Sequence, residues 1–311
     1  MKKKNAFIIV LLLILLPIIG WGIFYLFSTE ETAHNLELID SHVLIECFTT
    51  EDCLKIENRL LEEMEKENIA KVILTGALIT DSLIDSMIMN MSDRHPDKFL
   101  PFLSGFIPNA SSTPLYIENQ LKTGKWKGIG KIILSHISGS QPAYMPNDTV
   151  LLEIYGLADT YNVPVFFHID IAAYSECKKP VEALKEIFTL FPNVTFIWHR
   201  GQITSEGFDP DMGCILPIVD YPNVVAEAEF HSPNMNLSSY EFYSELIQDN
   251  RYIIGSDFIL SPAVVDNEVL YAAGGASYHE TIQQTRTILS MYSDQTAKDI
   301  GYNNILKILG M

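Results

Sequence analysis

Eight residues that can bind metals, transfer protons or carry charge stand at or near the ends of short apolar runs in this sequence. They are His42, Lys131, His136, His168, His199, Glu227, Glu229 and Asp257. A single histidine in such a place usually has a structural role. Imidazole and carboxylate groups that share one kind of position, however, are the donors that zinc and related divalent cations prefer. The pattern therefore predicts a divalent-metal site, with Zn²⁺ as the expected ion.

The apolar runs that carry these residues are rich in β-branched and aromatic side chains, which is typical of β-strands. The predicted strands span residues 36–45, 71–76, 99–108, 128–136, 163–170, 194–201, 224–230 and 252–258. Segments with helical spacing of apolar residues lie between them, at 50–67, 147–161 and 180–191, and Thr50 is predicted to cap the first.

This alternation favours a parallel sheet, and eight strand–helix units in about 280 residues favour a (β/α)8 TIM barrel. In such a barrel the functional residues gather at the C-terminal ends of the strands. A doubly wound open sheet is the alternative, but the sequence has no glycine-rich phosphate-binding turn of the kind such sheets often carry.

The first 28 residues have a different character. Three lysines, residues 2–4, precede an uncharged apolar run from Ala6 to Phe27. As a helix this run would span about 33 Å, which is enough to cross a bilayer core. A cleaved signal peptide usually has a shorter apolar core and a small-residue cleavage site. We therefore predict a membrane anchor over 1–28 and one barrel domain over 29–311, which lies outside the cytoplasm because the lysines stay inside.

Charge and cysteine content narrow the range of partners. Without the three N-terminal lysines the net charge of −18 becomes −21, which argues against a nucleic-acid partner.

The four cysteines, Cys47, Cys53, Cys177 and Cys214, form neither a zinc-type cluster nor a disulfide scaffold. Cys47 and Cys53 can pair in an oxidising compartment, and buried free thiols are the alternative.

From about Leu38 to Leu309 the sequence resembles the amidohydrolase superfamily, in particular the amidohydrolase-related branch that includes aminocarboxymuconate semialdehyde decarboxylase. The matching pieces are IDSHV, LLEIYGLADTYNVPVFFHID, FPNVTFIWHRG, YPNVVAEAEF and RYIIGSDF, at the first, fifth, sixth, seventh and eighth strands. The resemblance implies a barrel with a metal-dependent active site that acts on a small molecule.

The resemblance also implies roles for individual residues. His42 and His168 would be metal ligands, and Asp257 a metal ligand or the catalytic base. His199 would be either a further ligand or a catalytic group that polarises the substrate. A bound divalent ion lowers the pKa of its water to about 7, a carboxylate accepts the proton, and the hydroxide attacks the substrate. The substrate-binding residues, which would hold an anionic group, would be Arg200, His136 and Lys131.

Two residues depart from the family pattern. Leu44 stands where the family motif has a second histidine, two residues after His42 and so on the same strand face. Lys131, on the fourth strand, carries an ammonium that would repel a divalent cation. Three alternatives follow: the remaining ligands still hold one metal; a carboxylated Lys131 or an inward-turned Glu227 or Glu229 replaces the lost ligand; or the ammonium fills the site and no metal binds.

Two functions therefore remain open from the sequence. The first is a membrane-anchored, extracytoplasmic, metal-dependent hydrolase or lyase that acts on a small molecule. The second is a catalytically degenerate barrel, with an incomplete metal site at Leu44 and Lys131, that serves as a ligand-binding module.

Overall fold

The computed structural model describes residues 35–77, 82–136, 143–200, 220–229, 244–265 and 276–311. Nine strands run parallel in one sheet, in the order β8-β7-β6-β5-β4-β3-β2-β1-β9. Strands β1 to β9 span Leu38–Ile45, Ile69–Gly76, Phe99–Leu103, Gly128–Ser135, Val165–Ile169, Phe196–His199, Val224–Glu229, Tyr252–Gly255 and Phe258–Leu260. All eight predicted strands are therefore present.

The eighth strand, predicted over residues 252–258, ends earlier than expected at Gly255, and a separate strand β9 begins at Phe258. Strand β8 pairs with β7 and strand β9 pairs with β1, so the two together close the curled sheet into a barrel. The break at Ser256 and Asp257 is fixed by hydrogen bonds to β1. The Ser256 backbone N–H donates to Asp40 Oδ1 at 2.8 Å, and the Ser256 hydroxyl donates to the His42 carbonyl at 3.1 Å.

Strand β3 is shorter than predicted, since it ends at Leu103 and not at residue 108. The backbone N–H groups of Ser104 and Gly105 donate to Asp85 Oδ1 at 2.9 and 2.8 Å instead of continuing a strand ladder. A buried carboxylate from the preceding helix thus ends the strand, and the local sequence pattern did not reveal it.

Helices follow the strands and cover the outside of the barrel. Helices α1 to α10 span Thr50–Lys66, Ser82–Arg94, Thr113–Leu121, Thr149–Tyr161, Lys178–Leu190, Ser244–Gln248, Pro262–Val265, Tyr278–Leu289, Asp294–Lys298 and Asn304–Ile308. The three predicted helices correspond to α1, α4 and α5. The prediction that Thr50 caps α1 is wrong by one residue, because the Thr49 hydroxyl accepts the Asp52 N–H at 3.1 Å.

The core has two layers, as the alternation of side chains along each strand requires. An outer layer packs the strands against the helices. A smaller inner layer fills the barrel with apolar side chains and is closed from below by Ile305 on α10; its members are Ile39, Ile73, Leu100, Phe102, Phe166, Ile197, Val225, Ile253 and Ile305. This apolar plug leaves the upper end of the barrel for other side chains.

The predicted anchor, residues 1–28, lies outside the described residues and stays a prediction. Within the part of the chain that the structure describes, no helix combines the length and the apolar character needed to cross a membrane. Cys47 and Cys53, which the sequence left open between pairing and free thiols, form a disulfide that links the end of β1 to α1. The described cysteines include no free thiol.

Candidate metal centre

The site lies in the layer of side chains directly above the apolar plug. On β5, β6 and β7 the plug residues Phe166, Ile197 and Val225 are each followed two positions later by a polar residue on the same strand face. These residues are His168, His199 and Glu227, and all are buried. The period of two along a strand therefore places two imidazoles and a carboxylate in one layer.

His42 reaches the same layer through an irregularity in β1. The pairing of β1 with β2 shifts register between Asp40 and Val43, which is the signature of a β-bulge. Ile39 can therefore join the plug while His42, three residues later, also points into the barrel. Its ring lies edge-on to Phe166 of the plug, with 4.7 Å between the ring centres.

Glu227 forms a hydrogen bond with the inner edge of His199 and lies beside the inner edge of His42. Its Oε2 lies 2.6 Å from His199 Nδ1, and its Oε1 lies 3.7 Å from His42 Nδ1. Gly255 makes this approach possible, since a Cβ there would stand 1.8 Å from Glu227 Oε1 and 2.7 Å from the Cβ of His42. A carboxylate behind the Nδ1 atoms favours the tautomer that has its proton on Nδ1 and a lone pair on Nε2, which is the form that binds a metal through Nε2.

Asp257 faces those Nε2 atoms from the break between β8 and β9. Its Oδ1 lies 3.2 Å from His42 Nε2, and its Oδ2 lies 3.7 Å from His199 Nε2. Two ligand atoms of a tetrahedral ion with bonds of about 2.1 Å are ~3.4 Å apart, so these separations suit donors around one cation. The left-handed backbone of Asp257, with φ of 50°, is unusual for a residue other than glycine.

The donor set of His42, His199 and Asp257 thus fits a divalent metal, and one ligand atom from each lies within 4.8 Å of the others. Both ring nitrogens of His42 are buried and make no hydrogen bond. The pKa values of His42 and His199 are well below the usual value for histidine. Burial is the main cause, and the positive charge of Lys131 is the next. Neutral imidazole is the form that binds metals.

Two cationic side chains lie against the same carboxylate. Lys131 Nζ donates to Asp257 Oδ1 at 2.9 Å, and Arg200 Nη2 lies 3.6 Å from Asp257 Oδ2. Burial alone would raise the pKa of Asp257, but Lys131, His42 and Arg200 together lower it below its usual value. The carboxylate is therefore charged, and the Lys131 ammonium competes for it with any cation.

The remaining predicted site residues form a neighbouring group. His168 lies with His136 and Asp170, again with one possible ligand atom from each within 4.8 Å of the others. The rings of His168 and His199 are 5.1 Å apart, so the two groups adjoin. Leu44 is buried, pairs with Thr75 of β2, and has no atom that can bind a metal.

Sequence reasoning overlooked Asp170 and underrated Glu227. Asp170 stands two residues after His168, so the same period of two that selected the histidine could have selected the carboxylate. Glu227 was named only as a possible substitute ligand. It does turn inward, but it lies at the Nδ1 edges of the histidines, on the side away from Asp257, and forms a hydrogen bond with His199. Glu229 lies at the end of β7.

Comparison with known proteins gives a match only at the level of structure. No protein-family model matches the chain, and no curated protein matches its sequence.

Several solved structures share its fold. One is 4-oxalomesaconate hydratase from Rhodopseudomonas palustris, with 12% identity and a TM-score of 0.58 over 88% of this chain and 95% of that one. Another is 5-carboxyvanillate decarboxylase from Novosphingobium aromaticivorans, complexed with manganese and a nitrobenzoic acid, with 13% identity and a TM-score of 0.58 over 89% and 97%. A third is dihydroorotase from Campylobacter jejuni, with 14% identity and a TM-score of 0.56 over 89% and 84%.

These structurally similar proteins are members of the amidohydrolase superfamily. At such low identity the likeness concerns the fold, and it extends over most of each chain. The resemblance inferred from the sequence is therefore confirmed at this level: the chain has the TIM-barrel-like fold of amidohydrolase-superfamily enzymes.

Proposed function

We propose that this protein is a metal-dependent enzyme of the amidohydrolase superfamily, a hydrolase or lyase that acts on a small anionic molecule. The observation that carries the proposal is the convergence of His42, His199 and Asp257, from β1, β6 and the β8–β9 break, with Glu227 behind both histidines. A barrel with a purely structural interior has no reason to bury these groups together. Manganese in two structurally similar decarboxylases supports a divalent ion and leaves its identity, Zn²⁺ or another, to experiment.

The side chains of this protein have distinct tasks in the proposed reaction. His42, His199 and Asp257 would hold a divalent cation, which supplies Lewis-acid chemistry when bound. Glu227 orients the His199 imidazole through its Nδ1 and lies 3.7 Å from His42 Nδ1. Asp257, charged at neutral pH, is placed to accept a proton from a reacting group.

Lys131 and Arg200 would attract the substrate. Both lie within 4 Å of Asp257, at 2.9 and 3.6 Å, so their charges face the point where a substrate would meet the carboxylate. In a partly desolvated pocket such groups favour a carboxylate or a similar anion. Two of the similar decarboxylases are complexed with carboxylates of this kind, 2,6-dihydroxybenzoate in one and a nitrobenzoic acid in the other.

The direct contact between Lys131 and Asp257 favours a second candidate function. If the ammonium holds the carboxylate permanently, no cation enters, and the pocket binds an anionic ligand without converting it. This is the binding-module alternative.

Metal content separates the two functions. Full-length protein purified in detergent is stripped with a chelator, reloaded separately with Zn²⁺ and Mn²⁺, and analysed for bound metal. The enzyme proposal expects His42→Gln to lose about one equivalent relative to wild type, while the matched exchange His279→Gln, on the outer helix α8, loses none. Binding below about a tenth of an equivalent after reloading, or equal content in His42→Gln and wild type, refutes it.

Lys131→Met tests the competing role of the ammonium. If Lys131 blocks the site, its removal raises metal content from near zero towards one equivalent. If wild type already binds the metal, Lys131→Met leaves the content unchanged and raises KM for carboxylate substrates.

We also propose that residues 1–28 anchor the protein and that the barrel lies outside the cytoplasm. The support is the lysine-flanked apolar run and the disulfide Cys47–Cys53, which is typical of an oxidising compartment. Protease treatment of intact cells, followed by detection of the barrel, tests the location. A barrel that is protected in intact cells and digested only after lysis contradicts it.

A further inference from the structure

A second set of donors stands where β4 and β5 end. Ser135 closes β4 and pairs with Ile169 of β5. The Ser135 hydroxyl donates to the Asp170 carbonyl at 3.0 Å, and the Asp170 N–H donates to the Ser135 carbonyl at 3.3 Å. These bonds hold the two strand ends together and fix His136, the residue after Ser135, beside Asp170.

The side chains of this set face one another. The rings of His136 and His168 are stacked, with 5.3 Å between their centres and 24° between their planes. His168 Nε2 lies 3.3 Å from Asp170 Oδ2. That separation exceeds the usual N–H···O distance of about 2.9 Å, but it is close to the ~3.4 Å between two ligand atoms of a tetrahedral ion.

His168 is the observation that points to a ligand. The residue is only 3% exposed, and neither of its ring nitrogens makes a hydrogen bond. A buried imidazole loses the hydrogen bonds it would make to water, and an unpaired polar atom is costly. A cation between His168 and Asp170 would satisfy one of these nitrogens.

We propose that His136, His168 and Asp170 form a second site for a divalent cation, of the Zn²⁺ or Mn²⁺ type. One ligand atom from each of the three lies within 4.8 Å of the others, and two imidazoles with a carboxylate are a suitable donor set. The site shares no ligand with the group of His42, His199 and Asp257, so it does not depend on the proposed function.

The second site adjoins the first and is partly open to solvent, so a cation there could bind a small molecule. The rings of His168 and His199 are 5.1 Å apart, and the side chain of Asp170 is 14% exposed. Three protein donors leave a coordination position open to a small molecule. A cation here would therefore bind an anionic or carbonyl oxygen at the mouth of the barrel, next to Lys131 and Arg200.

Metal stoichiometry of single variants tests the proposal. Full-length wild-type protein is stripped of metal and reloaded with Zn²⁺ or Mn²⁺. It is expected to bind one equivalent more than Asp170→Asn or His136→Gln, which lack the second site. His42→Gln is expected to lose the equivalent that binds at the first site, and the double variant His42→Gln with Asp170→Asn binds almost none. Asp159→Asn, an exposed exchange on α4, and His279→Gln serve as controls and match wild type.

A spectroscopic measurement complements the count. Reloading with Co²⁺ gives visible absorption bands that depend on the ligands, and Asp170→Asn should lose one set of bands while His42→Gln keeps it. Equal metal content in Asp170→Asn, His136→Gln and wild type overturns the second site. Loss of metal in His42→Gln alone refutes this inference and leaves the proposed function standing, whereas loss in Asp170→Asn alone supports the inference and refutes the proposed function.

Discussion

Two carboxylates that meet the break between β8 and β9, Asp40 on β1 and Asp257 in the break itself, have opposite surroundings. We call Asp40, Ser256 and Tyr278 the closure seam, and His42, His199, Glu227, Asp257 and Lys131 the mouth cluster. Within the described residues, the hydrogen bonds that Asp40 accepts come from neutral donors: the His42 N–H at 3.0 Å, the Ser256 N–H at 2.8 Å and the Tyr278 hydroxyl at 3.0 Å. Burial raises the pKa of Asp40 despite these bonds.

Asp257 is less deeply buried, since 16% of its side chain is exposed, and the cationic side chains of Lys131 and Arg200 lie against it. Burial raises its pKa less than Lys131, His42 and Arg200 lower it. Three neutral donors use most of the acceptor capacity of Asp40, and their hydrogen bonds tie β1 to the end of β8 and to α8. A carboxylate held in its charged form and faced by imidazole nitrogens is suited to bind a cation or a proton. Asp40 in the closure seam therefore has a structural role, whereas Asp257 in the mouth cluster is suited to binding and chemistry.

Exchange of the mouth carboxylate has the largest expected effect. Asp257→Asn keeps the shape of the side chain and removes the charged ligand of the first site, so we expect metal affinity there to fall by at least about 1,000-fold. Titration of stripped protein with Zn²⁺ in the Asp170→Asn background isolates this site. Unchanged affinity would place Asp257 outside the metal centre.

Exchange of the seam carboxylate should affect stability and spare metal binding. Asp40→Ala leaves two backbone N–H groups and the Tyr278 hydroxyl without their acceptor, which lowers the free energy of unfolding by about 3 kcal/mol. Urea denaturation measures this, with Asp40→Asn as the milder control. If Asp40→Ala binds less metal than wild type under conditions in which both proteins are fully folded, the separation between seam and mouth is wrong.

The carboxylate behind the histidines should have an intermediate effect. Glu227→Gln still accepts a hydrogen bond from His199 Nδ1 but loses the charge, so metal affinity should fall by about 10- to 100-fold. The free energy of unfolding serves as the second readout, because a merely structural role would change stability and leave affinity intact.

A third buried carboxylate extends the comparison and has the smallest expected effect. Asp85 on α2 resembles Asp40, since it accepts from the Ser104 and Gly105 N–H groups and from the Tyr116 hydroxyl at 2.7 Å. Burial raises its pKa to about 6.

The native state therefore keeps the Asp85 proton at pH values where the unfolded state has lost it, and stability falls as pH rises between about 4 and 6. From pH 5 to 7 the contribution of Asp85 should fall by about 1 kcal/mol, and Asp85→Asn should remove this part of the slope. Urea denaturation at several pH values measures it, with Asp159→Asn as control. An unchanged slope would mean that Asp85 titrates alike in both states.

Much of the barrel could be predicted from the sequence because its signals are local. The eight apolar runs are strands. The helices predicted over residues 50–67, 147–161 and 180–191 are present, and their ends lie within two residues of the predicted ends. The end of β3 was missed because it depends on Asp85, about 20 residues earlier in the chain. The division of the eighth strand was missed because it depends on β1, more than 200 residues away.

In the candidate site, too, local features could be predicted from the sequence and contacts between distant residues could not. Residue type and strand position selected His42, His168, His199 and Asp257 as a group, because strand ends of a parallel barrel meet at one mouth. Their division into two groups was decided by the bulge in β1, which turns His42 towards Glu227, and by the bonds between Ser135 and Asp170. Such partnerships join separate strands, so the sequence determined which groups reach the mouth and only the tertiary structure decided which of them share a ligand.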